Sequence, residues 1–134
     1  MKLLALVLAL VLAPVAAGAI AGCVPACEVD ASENGYATPI TVLPSGQSVA
    51  WTSTDITHIN SDVRLGGDLC FTTIAAGGET SAFVRFDLVD GALFATVDGE
   101  TLPCATPLVT PAAAVIPYHC ELHPTMIGVL VVIV

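Results

Sequence analysis

Between two apolar stretches near the C-terminus lies Tyr118-His119-Cys120-Glu121-Leu122-His123-Pro124-Thr125-Met126. A thiol, an imidazole and a thioether thus fall within a seven-residue span of one loop. Soft sulfur together with imidazole suits copper. Two His and one Cys in a trigonal arrangement, with a long, weak bond to Met, form the donor set of an electron-transfer copper site. The loop supplies Cys120, His123 and Met126 but lacks the second His. The chain contains only three His. His119 adjoins Cys120 on a stretch that reads as strand, where successive side chains point to opposite faces, so it is poorly placed to share a metal with Cys120. His58 remains, in the polar segment from Thr52 to Asp62. Taken singly, His58 could be a solvated loop residue, Cys120 half of a disulfide and Met126 a core side chain. Their joint order and spacing argue for a metal site. One distant ligand plus a three-ligand loop ties two strand ends together, so Cu(I) and Cu(II) must share one geometry.

The elements that would position these residues are short. Thr38 to Leu43 is rich in β-formers, Pro44-Ser45-Gly46 is a turn, and Gln47 to Thr52 alternates around Val49 and Trp51. Leu69 to Ile74 and Thr80 to Leu88 read as further strands. Asp90-Gly91 and Asp98-Gly99 read as turns on either side of Leu93 to Val97. Ala113 to His119 and Ile127 to Val134 are the last two strands. The terminal apolar run is too short to span a bilayer and reads as a core strand. Trp51, Phe83, Phe86 and Phe94 are candidate core residues. No segment after residue 22 shows helical periodicity over three turns. The pattern predicts an all-β chain folded as a two-sheet sandwich or barrel.

Tyr-His-Cys-x-x-His-Pro-x-Met ahead of a Gly-Val-Leu-Val-Val strand resembles the copper loop of the cupredoxins, the blue type 1 copper proteins. Its short spacing is most similar to that of the amicyanin group. Val-Ala-Trp-Thr-Ser-Thr-Asp-Ile-Thr-His resembles the strand and loop that bring the first His in plastocyanin-like proteins. The resemblance covers roughly residues 38 to 134. It implies a cupredoxin-like Greek-key sandwich, with His58 and His123 as nitrogen ligands, Cys120 as thiolate and Met126 as axial ligand. It also implies that electrons leave through a partly exposed His123. The pattern is broken where Ile59, with Asn60 after it, follows the first His, and where Leu122 stands in place of a Pro. The stretch from Phe86 to Thr110, with Cys104, reads as an insertion braced by a disulfide.

Met1 to Gly22 has the layout of an export signal: one early Lys, an apolar run from Leu3 to Ala13, then small residues. Ile20-Ala21-Gly22-Cys23 resembles a bacterial lipoprotein box, in which Cys23 carries lipid; ordinary cleavage near Ala19 or Ala21 is the alternative. Residues 23–37 read as a short polar tether and 38–134 as the copper-binding domain. Five cysteines are many for a chain of 134 residues. With Cys120 on the metal, four remain for two bridges, for example Cys70–Cys104 with Cys23–Cys27. The formal net charge is −9, and −10 once Lys2 leaves with the signal, from two basic and twelve acidic residues. Such a surface repels nucleic acid and anionic membrane and attracts basic partners.

The expected function is therefore one-electron transport outside the cytoplasm, by a monomer that meets a basic redox partner such as a c-type cytochrome or a membrane electron-transfer complex. A copper carrier or scavenger with the same fold is the alternative. An enzyme is disfavoured. Three His cannot supply the second copper centre of a multicopper oxidase or nitrite reductase. A two-copper centre needs a second Cys in the loop, and no Ser-His-Asp set or carboxylate dyad is evident.

Overall fold

Alternation of apolar and polar residues and frequent Gly-containing turns carry through to the tertiary structure. The computed structural model describes residues 20–22, 26–63, 69–105 and 108–134, and all regular elements among them are strands. One sheet runs in the order β1 (Ile20–Gly22), β4 (Ile40–Pro44), β13 (His123–Ile133), β12 (Ala113–Cys120), β6 (His58–Asp62) and β7 (Thr72–Ala75), with β11 (Leu108–Val109) also paired to β12. The other runs β10 (Glu100–Pro103), β9 (Ala92–Val97), β8 (Val84–Val89), β5 (Ser48–Ser53), β2 (Ala26–Ser32) and β3 (Gly35–Tyr36). The pairs β4–β13 and β2–β5 are parallel, and the hairpins are antiparallel. The two inner faces share one core, in which Trp51, Tyr118, Phe86, Leu43, Ile116 and Leu130 are fully buried.

The Asp-Gly turns form as their composition requires. Asp90 and Asp98 both have φ of 50°, with Gly91 at 79° and Gly99 at 81°. Positive φ at both central residues matches the twist of a two-residue hairpin, and here the hairpins join β8 to β9 and β9 to β10.

Three expectations are corrected. Residues 26–36, which lie in the expected tether, belong to the sandwich: β2 pairs along β5 from Ala26↔Ser48 to Ala31↔Ser53. Its polar residues Glu28 and Asp30 face outward while Cys27, Val29 and Ala31 are buried, so a half-buried strand looks polar when only its charges are counted. His58 is not in the loop but opens β6, and it is fully buried. Phe83 lies just before β8 and is 47 % exposed, and Phe94 is only half-buried, on the outer face of β9. The expected export signal lies outside the described residues except for Ile20–Gly22, and so do Cys23 and Arg64.

Candidate metal centre

Cys120 ends β12 and His123 begins β13, with Glu121 and Leu122 turning between them; Cys120 pairs with His123 across this turn. One step back along β12, His119 pairs with Ile127. The shift leaves Pro124, Thr125 and Met126 without partners on β12. Such an irregularity re-aims side chains that a regular ladder would alternate. Met126 is thereby turned inward and buried beside half-buried His123, while Pro124 and Thr125 stay exposed. Gly128 lies opposite Tyr118 and is needed there, because an added Cβ would fall on the Tyr118 ring.

β6 lies on the other side of β12, with Asn60 opposite Cys120. His58 is two residues from Asn60 on the same strand and so shares its face. The Glu121 N–H donates to the Ile59 carbonyl at 2.8 Å, which clamps the copper-like loop to β6. The sulfur of Cys120 is 3.6 Å from His123 Nδ1, and the His58 and His123 ring centroids are 5.6 Å apart. One donor atom from each of His58, Cys120 and His123 falls within 4.8 Å of the others. His119 is not part of this group.

Burial and hydrogen bonding test whether a soft metal ion fits. Cys120 is a free, fully buried thiol. Among the described residues neither ring nitrogen of fully buried His58 has a partner at hydrogen-bond distance. An orphaned buried polar atom costs about 1–3 kcal/mol, and ligation of an ion would remove that cost here. The set of two imidazoles, one thiol and a neighbouring thioether matches copper in kind.

Two neighbours of the site, Tyr36 and Asp55, were not anticipated. Tyr36, in the supposed tether, donates its hydroxyl to Asn60 Oδ1 at 2.6 Å, and its ring lies tilted against that of Tyr118 with centroids 4.7 Å apart. Burial, then Tyr118, then Cys120 push its phenol pKa well above the ordinary value. Asn60 therefore bridges to β3, and the Ile59 carbonyl makes the link to the Cys120 loop. Asp55 lies 3.5 Å from His58 Nε2, and the N–H groups of Glu33 and Ile56 hold its carboxyl below the usual range, with a smaller contribution from His58. The only sequence sign of Asp55 is its place three residues before His58.

Cys70 and Cys104 form the expected bridge, with Cα atoms 4.9 Å apart. Cys27 is also disulfide-bonded, and its expected partner Cys23 lies outside the described residues. Buried Asp62 accepts the N–H groups of Cys70 and Phe71 at 3.0 and 3.2 Å, fixing this bridge to the end of β6. Disulfides of this kind persist in oxidising compartments.

No protein-family model and no curated protein matches the chain by sequence. Solved structures match by fold. A Cu(I) form of amicyanin with its methionine replaced by glutamine aligns with a TM-score of 0.55 and 20% identity, over 82% of this chain and 84% of that one. A reduced amicyanin with a tryptophan-to-tyrosine change aligns at 0.52 and 18%, over 82% and 84%. A purple cupredoxin from Nitrosopumilus maritimus aligns at 0.50 and 17%, over 79% and 98%. The chain has a cupredoxin-like fold.

Proposed function

We propose that this chain is a type 1 copper protein that carries single electrons, with copper held by His58, Cys120, His123 and Met126. The observation that carries the reading is the meeting of the His58, Cys120 and His123 donor atoms within 4.8 Å, with His58 Nδ1 buried and without a hydrogen-bond partner among the described residues. Met126 is assigned as the axial donor because it is buried in the same loop and lines a cleft of about 330 Å³ together with His123 and Tyr36. Bound copper would supply a reversible one-electron couple, and the protein would hold both oxidation states in one donor set. The clamped loop and the buried Cys120 and His58 favour this over a carrier that releases its ion, because release would require the core end of β6 and β12 to open. No substrate is assigned.

His123 is the least buried of the four, and exposed Leu122 and Pro124 flank it. A small apolar contact of this kind suits the brief encounters of redox partners. The acidic remainder would steer a basic protein such as a c-type cytochrome to that face. Export is supported by the disulfides and by the leader-like residues 1–22; anchoring through lipid on Cys23 belongs to the same reading.

The test is a visible spectrum of copper-loaded protein. Wild type should show an intense thiolate-to-copper band, and Cys120→Ser should lose it while keeping its far-UV dichroism. Full copper occupancy without colour would sink the reading. Rapid loss of Cu(I) to a chelator would move the assignment to the carrier.

A further inference from the structure

We propose that Asp55 is a positioning residue for His58: its carboxylate takes the imidazole Nε2–H, which leaves Nδ1 as the nitrogen turned to the metal. The proposal rests on the copper reading above. His58 has no solvent exposure, so water cannot satisfy its Nε2–H, and no other hydrogen-bond partner is present among the described residues. Asp55 Oδ1 lies 3.5 Å from Nε2.

Asp55 itself is held from several sides. Its Oδ2 accepts the Glu33 N–H at 3.0 Å, from the turn between β2 and β3. Its Oδ1 accepts the Ile56 N–H at 2.6 Å, and the Ser53 hydroxyl at the end of β5 donates to the Ile56 carbonyl. Gly77 packs against the backbone of Asp55 so closely that an added Cβ would sit 2.7 Å from the Asp55 carbonyl oxygen. The Glu33 and Ile56 N–H groups thus fix the carboxylate, and Ser53 and Gly77 fix the backbone that carries it. A carboxylate on the far nitrogen of a ligating imidazole sets its tautomer and makes the other nitrogen a stronger donor. The stronger donor and the added negative charge both favour Cu(II) over Cu(I). Asp55 would therefore lower the reduction potential without touching the ion.

The test uses two independent readouts on the full exported protein. Nitrogen-15 NMR of the zinc-loaded wild type should show a slowly exchanging proton on His58 Nε2. In Asp55→Ala that proton should exchange rapidly while the His123 resonances stay in place. Copper-loaded Asp55→Asn should keep its visible band, and its preference for Cu(II) over Cu(I) should fall about ten-fold, read as a midpoint about 59 mV higher. A proton on Nδ1 of His58 in the zinc-loaded wild type overturns the proposal, as does an unchanged midpoint in Asp55→Asn. A colourless copper-loaded wild type would instead remove the copper reading, and the zinc spectra would still decide whether Asp55 orients His58.

Discussion

Met126 illustrates how much one side chain is asked to do. It is 7 % exposed, belongs to the main core cluster and lines the same cleft as His123. A weak axial donor tunes potential more than it holds the ion. Met126→Leu nearly conserves volume, so it should cost less than about 1.5 kcal/mol of stability. It should keep the visible band and raise the midpoint potential, because loss of the thioether disfavours Cu(II). Voltammetry beside equilibrium dialysis of copper checks this. Loss of the ion would show that Met126 grips it. The sequence pointed to Met126 through spacing alone. The resemblance alone implied that His123 is the more exposed of the two imidazoles; composition and spacing could not, because burial depends on what the other sheet lays over each.

At the scale of elements, the irregular pairing between β12 and β13 and the clamp from Glu121 to Ile59 bring the donors together. Both strands were legible from their apolar runs. Their register was not, because three residues looped out of one strand look no different in composition from three residues within it. The Cys70–Cys104 bridge spans a sequence separation of 34 and ties the start of β7 to the residue after β10. Neither cysteine belongs to the donor group. Replacing both, Cys70→Ala with Cys104→Ala, should lower stability by about 2–4 kcal/mol and leave the visible band unchanged. Denaturant unfolding of the pair of variants measures it. An unaltered midpoint would mean that β8, β9 and β10 are fixed by their ladders and core side chains alone.

For the whole molecule, charge and burial set the response to solution conditions. The −9 net charge predicts that electron exchange with a basic cytochrome slows steeply as ionic strength rises, since the screening length falls to about 8 Å at 0.15 M. Stopped-flow rates across a salt series test this, and a salt-independent rate would place the contact away from the acidic surface. The chain has two tyrosines, Tyr36 and Tyr118, and burial is the main cause raising both phenol pKa values. The unfolded chain releases these protons near pH 10 while the folded one retains them, so stability is unaffected below about pH 10 and falls above it. Phenolate absorbance should therefore appear together with unfolding in an alkaline titration. Phenolate formed in a chain that is still folded would show that one ring reaches solvent.

What the amino-acid order settles by itself is local: a thiol, an imidazole and a thioether at positions 120, 123 and 126, strands marked by alternation, and hairpins at the two Asp-Gly pairs. These follow from spacing and backbone preference over a few residues. Tertiary pairing alone decides that His58 faces Cys120, because a strand's register depends on a partner sixty positions away along the chain, as the Ser61–Glu121 hydrogen bond shows. It also decides that residues 26–36 are a wall of the sandwich, since Glu28 and Asp30 look like a tether until pairing with β5 turns Val29 and Ala31 into the core. Asp55 becomes significant for the same reason: its carboxylate gains a role only when the distant Glu33 N–H and the turn at Gly77 hold its segment beside a buried ring.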